Sequence, residues 1–160
     1  MAAPTDPVLH IVLYQPEIPP NTGNVGRLCL GIGARLHVVH PIAFSLSEKA
    51  VRRAGLDYWK HVDLQEHASA EDFWRWSEGR TVHLYSSRGQ GPYTTPRYRR
   101  GDVLVFGCET RGLPQEEVDA RGAWTIPMKG RVRSLNLSNA AAVVAYHALQ
   151  QVEPALFEAT

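Results

Sequence analysis

The chain has 160 residues, a formal net charge of +1, 44% apolar residues and 21% charged residues. These values describe a soluble globular chain long enough for a sizeable core, and they exclude a disordered or fibrous one. No apolar run reaches membrane-spanning length, no basic stretch followed by an apolar core opens the sequence, and Cys29 and Cys108 read as reduced, buried thiols of a cytoplasmic protein.

In chain order, residues 1–7 read as a short tail and "LHIVLY" (9–14) as a strand. Pro16, Pro19 and Pro20 break the chain, and a helix runs from about Thr22 to Ile32, with Asn21 or Thr22 as its cap. "RLHVVH" (35–40) is a second strand. "SLSEKAVRRAG" (45–55) is a helix with Ser45 and Glu48 spaced as a capping box. An extended piece is expected near His61–Leu64, then a helix over 69–79 opened by Ser69 or Asp72, then strands over 81–87 and 102–107. The longest loop, 86–102, lies between them. A short helix (114–122), a last strand (123–128) and a terminal helix (135–152) complete the chain, with 153–160 as a tail.

Strands alternate with helices, and runs such as Val103–Phe106 are apolar at successive positions, as in strands covered on both faces. The expected fold is therefore α/β, a mostly parallel sheet with helices on both faces, in one domain spanning 1–160. In the terminal helix, Leu137, Ala140, Ala141, Val144, Ala148 and Val152 follow helical spacing, and Val143, Ala145 and Leu149 add apolar surface elsewhere. That surplus points to a subunit interface, with Tyr146 as an anchor, ahead of a core helix under a loop.

Several chemistries are missing. The glycines of 23–33 do not have dinucleotide-binding spacing, and no NTPase phosphate loop, C-x-x-C, H-E-x-x-H or G-x-S-x-G occurs. His37 and His40 fall at a strand end and read as structural or surface histidines, so no metal site is expected.

Three polar islands remain. In "NTGNVGR" (21–27), Asn24 and Arg27 share a helix face, and Arg27 sits among Val25, Leu28, Leu30 and Ile32, where a guanidinium needs a reason; the other reading is that it snorkels to a surface carboxylate. In "FGCETRGLP" (106–114), a buried strand runs into Gly107 and Glu109, where parallel sheets bind ligands; the other reading of Glu109 is an acceptor for backbone N–H groups in a turn. In "IPMKGRVRSLNLSN" (126–139), Ser134, Asn136, Ser138 and Asn139 exceed what capping one helix needs. Basic residues cluster at Arg52 and Arg53, at Arg97, Arg99 and Arg100, and at Lys129, Arg131 and Arg133; any one cluster reads best as a solvated loop or helix face, and the three together in a nearly neutral chain are compatible with a local anionic partner.

Together, in this order, the islands resemble the three motifs of the SPOUT RNA methyltransferases over about Leu9 to Gln151, and "RRAGLDYW" (52–59) resembles their small TrmL (YibK-like) group. The resemblance implies a deep C-terminal trefoil knot and S-adenosyl-L-methionine as cofactor, held by Tyr85, Gly107, Glu109, Ile126, Met128, Ser134 and Leu135. It implies a cytoplasmic homodimer built through the C-terminal helix. The implied substrate is a tRNA anticodon stem-loop, methylated on the ribose 2′-oxygen of the wobble nucleotide, a cytidine or modified uridine. The expected catalytic set is Arg27, Asn24, Ser134 and Asn136. Arg27, Arg52, Arg53, Lys129, Arg131 and Arg133 are the expected RNA contacts. In the family an arginine matching Arg27 is proposed as general base. Its high pKa favours instead a clamp on phosphate that steadies the developing alkoxide. The alternatives are another tRNA or rRNA site, an inactive knotted RNA-binding protein, and a dinucleotide-dependent oxidoreductase, which the missing glycine fingerprint disfavours.

Overall fold

The computed structural model describes residues 6–47 and 58–159. The strands are β1 (His10–Tyr14), β2 (Arg35–Val39), β3 (Leu64–His67), β4 (Val82–Tyr85), β5 (Gly91–Pro92), β6 (Val103–Phe106) and β7 (Trp124–Thr125). The helices are α1 (Pro19–Ile32), α2 (Ala70–Ser77), α3 (Gln115–Arg121) and α4 (Leu137–Val152). The strands form one sheet in the order β3-β2-β1-β6-β4-β7-β5, and every pairing is parallel.

Strand alternation divides the core into two layers. Ile11 and Leu13 of β1 and Leu104 and Phe106 of β6 face a cluster containing Val25, Cys29, Val144 and Ala148, which belong to α1 and α4. Val12, Tyr14, Val103 and Val105 face the other side, against Phe73 of α2 and Val118 of α3. Each strand is therefore apolar on both faces because each face carries its own helix layer.

Several boundaries differ from the sequence expectation, each for a local reason. α1 starts at Pro19, not near Thr22, and its N-cap is Ile18, so neither Asn21 nor Thr22 caps it. Two prolines suit the first turn, where the missing N–H groups have no partner to lose. The extended piece expected near His61–Leu64 is present but shifted: a 3-10 turn occupies Trp59–His61, Val62 is extended, and β3 begins at Leu64. The long loop contains β5, which is held by β7, itself only two residues long. The tail expected over 153–160 includes a 3-10 turn, Pro154–Phe157. Most of the helix expected over 45–55 lies outside the described residues. Cys29 is buried as expected, but Cys108 is only half-buried.

The terminal helix buries more of its surface within this chain than an interface helix alone requires. Leu137, Ala141, Val144, Ala145, Ala148 and Leu149 are all buried within this chain, so α4 is a core helix packed on α1. What stays exposed is a narrower strip containing Val143 at 37% and Tyr146 at 48%.

Candidate active site

Strands β1 and β6 are neighbours, although most of the sheet separates them in sequence. Their carboxyl ends therefore place the loop before α1 beside the loop 107–114, the crevice position where open parallel sheets bind ligands. Glu109 closes that junction. Its Oε1 accepts the Glu17 N–H at 2.8 Å, and its Oε2 accepts the Ile18 N–H at 2.6 Å and the Asn21 side-chain amide at 3.2 Å. A carboxylate at these positions satisfies N–H groups at the start of α1 and complements the positive end of its dipole. Glu17 reciprocates by accepting from the Thr110 N–H at 3.0 Å and its hydroxyl at 2.7 Å. These bonds, the side-chain one foremost, hold the Glu17 carboxyl below its ordinary pKa.

The chain of contacts continues into the third island. Asn21 Oδ1 accepts the Asn136 side-chain amide at 3.1 Å, and Asn136 Oδ1 accepts the Ser138 N–H at 2.9 Å and its hydroxyl at 2.7 Å as the N-cap of α4. One hydrogen-bonded line thus runs Glu109–Asn21–Asn136–Ser138 and joins the three polar islands. Close approach of the second loop also depends on Gly107, where a Cβ would lie 2.2 Å from the backbone of Gly112 and Leu113.

Arg27 is not buried. Val25, Cys29 and Ile32 turn to the core, while Arg27 and Asn24 are exposed on the opposite side of α1. They line a groove of about 440 Å³ with Leu28 and Gly31 of α1 and Ser138, Asn139, Ala142 and Tyr146 of α4. None of these lining residues is acidic, so the groove has the character of an anion site. Asn24 and Arg27 do share one face, whereas Ser134 and Asn136 do not line this groove.

The remaining expected residues fall in three places. Tyr85 is buried, and its hydroxyl donates to that of Tyr98 at 2.9 Å, which in turn donates to the Tyr93 carbonyl at 2.6 Å. Burial drives the Tyr85 pKa well up and that of Tyr98 to about 12, so neither phenol ionises near neutrality. Ile126, Met128 and Leu135 are half-buried, and Ser134, Lys129, Arg131 and Arg133 are exposed. Arg52 and Arg53 lie outside the described residues.

Sequence reasoning missed two features here. Asn21 reads as a cap but is the middle of the three-island line. Tyr58 beside Arg27 carried no signal beyond its place in "RRAGLDYW". A second polar cluster lies under α2. His10 Nδ1 and His37 Nε2 are 2.8 Å apart, and His37 Nδ1 and His67 Nε2 are 2.9 Å apart, all three rings against Trp76. His37 is structural, as expected, although it sits within β2 and not at its end; His40 pairs with Glu66 at 2.8 Å. Among the described residues, no group of side chains is arranged to hold a metal ion, and no helix is long and apolar enough to cross a membrane.

The chain is similar to known proteins over most of its length. A tRNA (cytidine(34)-2'-O)-methyltransferase of Methylovorus glucosotrophus is 48% identical over 147 residues, covering 90% of this chain and 96% of its own. A solved structure concerned with 2-OH methylation of C/U34 on tRNA superposes with a TM-score of 0.85 at 47% identity, covering 93% of this chain and 97% of that one. An AdoMet-bound rRNA methyltransferase from Sinorhizobium meliloti superposes with a TM-score of 0.80 at 27% identity, covering 93% of this chain and 58% of that one. The sequence pattern of the SpoU rRNA Methylase family matches residues 8–146, from just before β1 into α4 and across all three polar islands, and the chain belongs to that family.

Proposed function

We propose that this chain transfers a methyl group from S-adenosyl-L-methionine to the ribose 2′-oxygen of a tRNA wobble nucleotide, cytidine or modified uridine at position 34; its relatives' names give cytidine(34)-2'-O methylation and 2-OH methylation of C/U34 on tRNA. The observation that carries the reading is the Glu109–Asn21–Asn136–Ser138 line, which unites the three motifs beside a groove holding an exposed arginine.

The residues at the ends of β4, β6 and β7 fit the cofactor. The half-buried Ile126, Met128 and Leu135 offer apolar contact. Among the described residues, the main chains of Met128 and Leu135 enter no backbone hydrogen bond, which leaves donors and acceptors for an adenosine edge. Tyr85, Gly107 and Ser134 complete the proposed set, with Tyr85 contributing its backbone because its phenol is buried and bonded to Tyr98. Glu109 contributes by fixing the loop, since both its carboxylate oxygens are already bonded. Bound there, the cofactor supplies an electrophilic methyl group on a sulfonium.

Arg27 then has two tasks that need only its fixed charge: a forked grip on an RNA phosphate and stabilisation of negative charge on the 2′-oxygen. Asn24 and the exposed Ser134 orient the ribose beside it, while Asn136 sets the start of α4 as its N-cap. Lys129, Arg131 and Arg133 extend the cationic surface along the RNA, with Arg52 and Arg53 as further contacts.

The quaternary reading is a cytoplasmic homodimer of one-domain chains joined through α4. Leu30, Val143, Tyr146 and Phe157 support it as exposed apolar side chains, with the Tyr146 and Phe157 rings 6.5 Å apart. A knotted C-terminal region is supported by β7, which lies in the sheet between β4 and β5 although it follows both in sequence. The decisive experiment incubates purified protein, S-adenosyl-L-methionine and anticodon stem-loop RNAs and maps 2′-O-methylation. Methylation at position 34 is expected. Methylation elsewhere moves the target, and none at all refutes the activity.

A further inference from the structure

We propose that Tyr58 is a positioning residue for Arg27, a role that rests on the function proposed above. The Arg27 guanidinium carbon lies 5.8 Å from the centroid of the Tyr58 ring, within reach of a cation–π contact. The ring is itself held in place. Its hydroxyl donates to the Gly23 carbonyl at 3.0 Å, and in an α-helix that carbonyl accepts the N–H four residues on, which is that of Arg27. Tyr58 therefore grips the helical turn that carries the arginine as well as the arginine's own charge.

Its neighbour locks the same segment. Trp59 is buried, its indole N–H donates to the Leu46 carbonyl at 3.0 Å, and its ring occupies the space where a Cβ on Gly26 would stand, 2.5 Å away. The glycine of "NVGR" thus admits Trp59, and Trp59 brings Tyr58 alongside Arg27. An aromatic face suits this task better than an acid. A carboxylate would pair with the guanidinium and compete with an incoming phosphate, whereas a ring restricts the side chain and leaves its charge available. Among the described residues, none of those lining the groove is acidic.

The test compares the intact wild-type protein with Tyr58→Leu and Tyr58→Phe, each checked for folding by thermal unfolding. The readouts are methyl transfer to an anticodon stem-loop and the Arg27 Nε–H resonance, assigned with Arg27→Lys. Tyr58→Leu is expected to lower kcat about fivefold, the size of an exposed cation–π contact, with KM for S-adenosyl-L-methionine unchanged. It should also move the Arg27 resonance out of the ring-current field. Tyr58→Phe keeps the ring and is expected to retain most of the rate and the shifted resonance. Wild-type kcat in Tyr58→Leu, or equal losses in Leu and Phe, overturns the proposal. A wild-type protein that methylates no RNA refutes the activity instead. The resonance then decides the contact alone: no change in Tyr58→Leu overturns it, and a change supports it.

Discussion

The same sheet carries two polar clusters that handle polarity in opposite ways. Under α2, the histidines of β1, β2 and β3 bond to one another in a closed row, with His10, His37 and His67 at most 5% exposed. At the carboxyl ends of β1 and β6, the Glu109–Asn21–Asn136 line is also internally satisfied, yet it borders a groove where Arg27 and Asn24 stay exposed. Hydrogen bonds in the first cluster join its own members. The second uses its hydrogen bonds to hold a scaffold and leaves a cation and an amide facing solvent. A satisfied network stabilises a fold, whereas polar groups left facing outward are what a partner can recognise.

The largest effect should come from the open cluster. Arg27→Lys keeps the charge but loses the fork, and methyl transfer is expected to fall about a hundredfold. A wild-type rate in Arg27→Lys would remove the arginine from both proposed tasks and erase the contrast between the clusters.

The closed cluster should respond to acid. Burial lowers the His10 pKa from 6.5 to about 4 and that of His37 to about 2, and it lowers that of His67. The unfolded chain therefore binds protons at a higher pH than the native row does. The stabilisation is complete above pH 6.5 and is lost as the pH falls towards 4 and below. By about pH 5 the loss amounts to on the order of 2 kcal/mol for one such imidazole. Urea unfolding at a series of pH values checks this, and a flat profile across that range would show that the row is not held neutral.

Glu109→Gln sharpens the scaffold's part. It leaves a side-chain donor facing backbone N–H groups, and a loss of about 2 kcal/mol is expected in chemical denaturation. The activity should fall further than this loss explains if the line also positions Asn136. Smallest is the loop charge. Replacing Lys129, Arg131 and Arg133 with Ala should weaken RNA binding and reduce its salt slope by up to about 3, with S-adenosyl-L-methionine affinity unchanged by titration calorimetry.

Much of this was legible in the chain itself. Apolar runs such as Val103–Phe106 fitted strands covered on both faces, and the observed layers agree. The three polar islands stood out because their side chains exceed what caps and turns consume. Arg27 was legible as an anomaly, but its explanation was partly geometric. The helical period turns it away from Val25, Cys29 and Ile32, so its charge never enters the core. Glu109 illustrates the limit. As a residue after a buried strand it fitted both a ligand contact and a turn acceptor, and the structure shows its oxygens on N–H groups as many as 92 positions away.

The sequence by itself determined the alternation of elements, the parallel α/β architecture and the location of the chemistry-bearing segments, because periodicity and local composition act over a few residues. Only the tertiary structure decided that Asn21 meets Asn136 across 115 positions, that three histidines from separate strands form one row, and that Tyr58 stands beside Arg27. Those meetings follow from strand order and helix packing, which depend on the whole chain closing its core at once and leave no mark in any local stretch.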